Sequence, residues 1–85
     1  MQNNNNIKSV GIVGTGVIGA SWTAFFLSRG FDVCATDPAD GAEERLRQLV
    51  ASYWPTLEKL GIASNASQSR LTFSKNFGEN FYFAN

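Results

Sequence analysis

Apolar and polar positions run along the chain in segments whose period changes from one to the next. IKSVGIVG, residues 7–14, is rich in Ile and Val and stops at a glycine, so it reads as a buried strand. VIGASWTAFFLSRG, residues 17–30, switches to a helical period. In that register Ile18, Trp22, Phe25 and Phe26 share one face and are expected to pack on the sheet. Gly30 stands where a left-handed residue ends a helix, with Arg29 facing the negative end of the dipole. FDVCATD, residues 31–37, predicts a second strand, with Phe31, Val33 and Ala35 alternating against Asp32 and Cys34. Pro38 ends it, and Asp40 is placed to cap a second helix with Glu43 and Glu44 in its first turn. Leu46, Leu49, Val50, Tyr53, Leu57 and Leu60 carry the helical spacing as far as Gly61, and Pro55 is expected to kink or split it. A polar loop, residues 63–69, leads to a short third strand, RLTFS, residues 70–74.

The order is strand, helix, strand, helix, strand. Each helix is long enough to be a crossover, which favours parallel strands joined by right-handed connections. The expected fold class is α/β: a three-stranded parallel sheet, the first βαβαβ half of a Rossmann domain, over residues 7–75. Residues 1–6, Met followed by Gln and Asn, read as a disordered tail. Residues 76–85, NFGENFYFAN, form an atypical aromatic tail and an association hazard.

Composition narrows the function. At 85 residues the chain is one domain at most. A domain this small buries roughly 60 to 65% of the surface its unfolded chain exposes, so its stability is expected to be marginal. Lys plus Arg and Asp plus Glu both number 7, which removes the electrostatic argument for nucleic acid or an anionic membrane. Cys34 is the single cysteine, so no internal disulfide exists, and a reducing cytoplasm fits. Cys34 itself, in a strand, is expected to be buried and inert. The amino terminus has no apolar core of a secretory signal, and no apolar run approaches a membrane span. Glu43 and Arg47 form an i,i+4 pair that needs no functional account, and Trp54 beside Pro55 reads as packing.

The candidate chemistry lies between the first strand and the first helix. Gly14, Gly16 and Gly19 spell G-x-G-x-x-G as GTGVIG, in the strand-to-helix context that a dinucleotide turn requires. Gly14 permits the tight turn, Gly16 lets a pyrophosphate approach the backbone, and Gly19 lets the helix pack closely. The free N–H groups and positive dipole end of the helix then face the phosphates. Asp37, at the end of the second strand, is placed to accept hydrogen bonds from both ribose hydroxyls and to repel the 2′-phosphate of NADP. NAD is thereby favoured. FAD proteins share this turn but more often carry Glu at the strand end. The bland alternative is a bare turn beside a solvated Asp. The strand, the helix, Gly30 and Asp37 together weigh against it.

With these residues placed, KSVGIVGTGVIGASWTAFFLSRGFDVCATDPADGAEERL resembles the amino terminus of the 3-hydroxyacyl-CoA dehydrogenase family, and within it the carnitine 3-dehydrogenase branch. Asp37-Pro38, Trp54-Pro55 and the Arg70-Leu71-Thr72-Phe73 strand carry the likeness to that branch, which covers about residues 7–75. The resemblance implies NAD-dependent oxidation of a 3-hydroxyl to a 3-keto group on an acyl-CoA or on L-carnitine. It implies Gly14, Gly16, Gly19 and Asp37 as cofactor contacts, with the backbone of Thr15, Val17 and Ile18 lining the turn.

The departures are equally informative. Family members are several times longer, and their catalytic His–Glu pair and substrate-binding helices lie beyond the part matched here. This chain has no histidine. Tyr53, Tyr82 and Lys59 are more simply core or surface residues than proton acceptors. The expectation is a truncated or frameshifted reading frame that binds the cofactor and does not turn over. ENFYFA, residues 79–84, also faintly resembles an engineered protease-cleavage tag. The alternatives are a stand-alone dinucleotide-binding module and a non-binding remnant. In a half domain the first strand becomes an edge, so self-association through that edge is expected.

Overall fold

The computed structural model describes residues 9–75. The element order is β1 (Ser9–Val13), α1 (Val17–Ser28), β2 (Asp32–Thr36), α2 (Ala42–Leu60), a 3-10 turn (Gln68–Arg70) and β3 (Leu71–Ser74). The strands are parallel in the order β1-β2-β3, with Val10 beside Val33 and Val33 beside Leu71. This is the expected partial Rossmann arrangement. The expected tails at 1–6 and 76–85, the strand positions Ile7 and Lys8, and Tyr82 lie outside the described residues.

One core joins the two helices to the sheet. Ala20, Ala24 and Leu27 of α1 meet Val33 and Ala35 of β2 and Leu46, Val50 and Trp54 of α2. The opposite side of the central register, Cys34 and Thr72, is half-buried and exposed respectively. Among the described residues the sheet is therefore covered on one face only, whereas parallel sheets are ordinarily covered on both.

Several expectations need correction. The inward face of α1 is not the aromatic one: Ile18, Trp22 and Phe25 are 75%, 53% and 45% exposed. The buried side carries Ala20, Thr23, Ala24, Leu27 and Ser28. Small side chains let the helix axis approach the strands, and the rings gather outside. Trp22 stacks on Phe26 at 5.8 Å between centroids, and Phe26 meets Phe31 edge-on at 5.5 Å. Nor is β1 fully buried: Ser9 and Val13 are exposed and the residues between are half-buried, because β1 has a strand on one side only among the described residues.

Asp40 does not cap α2. Gly41 occupies the N-cap with φ +74°, and the Asp40 carboxylate pairs with Lys75 Nζ at 3.1 Å instead. Pro55 does not break α2, which runs unbroken through it. Pro55 and Ala51, whose carbonyl loses its helical donor, both lie on the exposed side, so that carbonyl is not left unpaired in the core. Leu46, Val50 and Trp54 pack on the other side and hold the helix to its course. Leu60, at the end of the spacing, is exposed.

Gly30 caps α1 as expected, with φ +87°. Gly30 N–H donates to Leu27 O and Phe31 N–H to Phe26 O, both at 3.0 Å, which is a Schellman motif. The Asn65 side chain lies against Gly30, where a Cβ would collide with it. This tie from the α2–β3 loop sets the turn into β2. The Glu43–Arg47 pair forms at 3.0 Å on the exposed side of α2, and Trp54 is buried.

Candidate functional site

The turn after β1 is built by its own backbone. Gly14 has φ +86°, the left-handed region that glycine enters without steric cost. Its N–H donates to Thr36 O at 2.9 Å, so the turn is tied to the end of β2 before the chain enters α1. Gly16 is the N-cap of α1, in extended conformation, with no side-chain cap and no acidic residue in the first helical turn. A Cβ on Gly16 would meet no atom within 4 Å. Val17 and Ile18, which follow, are exposed. The first N–H groups of α1 thus lack an internal partner of the kind a capping side chain supplies. By contrast, α2 carries Glu43 and Glu44 in its own first turn.

Gly19 is under a different constraint. A Cβ there would overlap the carbonyl oxygen of Gly14 and lie 3.6 Å from Ile12 Cγ2. The close approach that the motif assigns to Gly19 is therefore made mainly to the turn itself.

Asp37 closes the site from the end of β2. Its Oδ2 accepts from Thr15 N–H at 2.9 Å and from the Thr15 hydroxyl at 3.0 Å. Its Oδ1 accepts from Ala39 N–H at 2.9 Å, an Asx turn. The Ala39 amide, the Thr15 amide and the Thr15 hydroxyl, helped by the nearby Arg45 charge, hold the carboxyl below its ordinary value of 3.8. A carboxyl lowered on folding contributes stability that is full above its unfolded value. That contribution is lost as pH falls through the lower folded value.

The structure thus brings Gly14, Thr15, Gly16, Gly19 and Asp37 into one arrangement, with Val17 and Ile18 at its rim. Helical N–H groups with no capping side chain and no acidic residue in the first turn, free space above Gly16 and an ionised carboxylate fit a ligand carrying a pyrophosphate and a ribose. The sequence alone gives Thr15 a backbone role only. Its side-chain bond spans two strand ends and leaves no trace in local spacing. The Ala39 contact is legible in principle, since Asp-Pro-x favours a turn closed on the Asp side chain.

The other candidates fall away. Tyr53 packs against the core, and Lys59 is exposed in the last turn of α2. Cys34 is half-buried, and burial pushes its thiol up, which keeps it protonated. The broad groove beside α2 and β3 is lined by Gly41, Glu43, Arg47, Phe73 and Lys75 and includes no residue of the glycine turn.

Residues 9–81 match the family described as 3-hydroxyacyl-CoA dehydrogenase, NAD binding domain. Among curated relatives, an L-carnitine dehydrogenase of Bacillus cereus is 59% identical over 69 residues, 81% of this chain and 21% of the relative. An L-carnitine dehydrogenase of Streptomyces griseus is 54% identical over 74 residues, 87% of this chain and 22% of the relative. One from Pseudomonas sp is 51% identical over 74 residues, 87% and 23% of the two chains. The chain spans about a fifth of the length of these relatives.

Proposed function

This chain belongs to the 3-hydroxyacyl-CoA dehydrogenase family through its NAD-binding domain, and on that premise we propose that residues 7–75 are the cofactor-binding portion of a 3-hydroxyl-oxidising dehydrogenase. Its reaction converts a 3-hydroxyl to a 3-keto group, on L-carnitine or on a 3-hydroxyacyl-CoA, and the relatives' names favour L-carnitine. NAD, when bound, supplies the hydride acceptor. The chain's own residues supply recognition. The N–H groups at the start of α1, from Gly16 to Gly19, take the pyrophosphate, since those of Gly14 and Thr15 are held by Thr36 O and Asp37, and Asp37 takes the adenosine ribose and repels a 2′-phosphate. The 85 residues contain no histidine and no other group suited to take the hydroxyl proton, so this chain alone binds and does not turn over. A reducing cytoplasm fits the single Cys34. Among the described residues no helix is long and apolar enough to cross a membrane.

The observation that carries this reading is the uncapped start of α1 at Gly16 opposite the carboxylate of Asp37. A thermal-shift titration tests it, because a ligand that binds only the folded form raises its stability by mass action. NAD is expected to raise the melting temperature, NADP and FAD to do so less, and Asp37→Ala to weaken the NAD response. Equal response to all three nucleotides, or none, contradicts the reading.

A second reading has its own support. The outer side of β1 has no strand neighbour among the described residues, and Val13 is exposed beside it. An apolar parallel edge of this kind pairs readily with another chain. We infer self-association through β1, as a dimer joining two first strands. Light scattering at high concentration is expected to give twice the mass of the chain, and a monomer throughout would contradict it.

A further inference from the structure

We propose that the Thr15 side chain is a positioning residue for nucleotide selection: its hydroxyl, together with its own N–H, fixes Oδ2 of Asp37 beside the glycine turn and leaves Oδ1 as the atom that takes the ribose. This rests on the NAD site proposed above, which uses only the backbone of Thr15.

Three observations carry it. Thr15 is 6% exposed, so its side chain is packed in place rather than free to swing. Both of its donors reach the same oxygen, at 2.9 and 3.0 Å. An ionised carboxylate has about two acceptor sites on each oxygen. Oδ2 is therefore filled by Thr15, whereas Oδ1 takes only Ala39 N–H among the described residues and keeps one site open, room for one ribose hydroxyl rather than the two that the sequence suggests. The contact also joins the two halves of the site, since Thr15 lies between Gly14, which makes the turn, and Gly16, where the pyrophosphate would approach. A carboxylate held by three donors stays ionised into acid and cannot turn aside to admit a 2′-phosphate. Arg45, on α2, is the charged group whose field reaches Asp37, and it is the same in every variant below.

The test titrates wild type, Thr15→Val and Thr15→Ser with NAD and with NADP, from neutral pH into the acid range. Thr15→Val is expected to weaken NAD about three- to tenfold, less than the full worth of a hydrogen bond to a charged group, because Thr15 acts through Asp37 and its own N–H still holds Oδ2. It is expected to narrow the preference for NAD over NADP and to move the acid-side loss of NAD binding to higher pH. Thr15→Ser is expected to restore all three. A purely structural Thr15 would lower the melting temperature and leave the acid limb in place. Unchanged NAD affinity and an unchanged acid limb in Thr15→Val overturn the inference. So does tighter binding, which would make the hydroxyl a competitor of the ribose. Should Thr15→Val fail to fold, Thr15→Ala decides by the same readouts. A wild type that never responds to NAD overturns the site reading itself, and that outcome is distinct from wild-type binding that Thr15→Val leaves untouched.

Discussion

Gly19→Ala is expected to destabilise the chain by about 2 to 3 kcal/mol, while Gly16→Ala leaves the fold intact and removes NAD binding. The two substitutions add the same methyl group within one turn, and the structure assigns them opposite consequences. At Gly19 the new carbon would overlap the carbonyl oxygen of Gly14, which is backbone and cannot rotate away. Gly14 is itself fixed by its N–H bond to Thr36 O at 2.9 Å and by a φ of +86°. The strain must therefore move either the start of α1 or the end of β1. In a domain of this size each kcal/mol lowers the melting temperature by about 4 to 8 °C, so the loss is on the order of 10 to 20 °C. At Gly16 nothing lies within 4 Å of the new carbon, and the backbone is extended at φ −67°, which alanine adopts. Alanine is a poorer N-cap than glycine but restricts the unfolded chain more, and the two effects nearly cancel. The melting temperature should stay within a few degrees of wild type, while the NAD-induced shift disappears because the methyl group fills the space a phosphate needs. Calorimetry with and without NAD reads both quantities. A Gly16→Ala protein that binds NAD like wild type would remove Gly16 from the phosphate site.

The site is more legible in the sequence than the packing around it. Turn geometry depends on residue types at fixed short intervals, and Gly14, Gly16 and Gly19 state those types directly. Asp37 is legible as a candidate because it follows the second strand, at the carboxyl end of a parallel sheet where ligands commonly bind. The inward face of α1 is not legible, for a physical reason. VIGASWTAFFLS is apolar nearly all round, so no polar stripe marks its outer side. With hydrophobicity uninformative, side-chain size decides the orientation: Ala20, Thr23 and Ala24 allow close approach, and Trp22 and Phe25 do not. The start of α2 offers two neighbouring candidates, Asp40 and Gly41, and a left-handed φ of +74° selects the glycine. Pro55 misleads because its cost falls on an exposed carbonyl, which sequence spacing does not locate.

The orientation of α1 yields the second large effect. Leu27 and Ile18 are isomers on one helix, with Leu27 fully buried and Ile18 exposed. Leu27→Ala is expected to cost about 2 to 5 kcal/mol, because it leaves a cavity among Val33, Leu46 and Val50, neighbours in one core. That is a large share of the whole stability of a marginal domain, about 5 kcal/mol, so the variant should melt far below wild type and, at the upper end of the range, be about half unfolded at room temperature. Ile18→Ala is expected to change stability by less than about 0.5 kcal/mol, as exposed substitutions do, with the better helix propensity of alanine offsetting the small contact loss. Circular-dichroism melts of the two variants compare these costs without knowledge of any ligand. Equal costs would mean that the outer face of α1 is covered in solution. That outcome has its own signature, since a face covered by a second copy makes the melting temperature rise with protein concentration. Melts independent of concentration, with Leu27→Ala strongly lowered and Ile18→Ala unchanged, would place the core of this chain under the small residues of α1 and leave Ile18 free at the mouth of the glycine turn. There it could be replaced to vary the rim of the candidate site without cost to the fold.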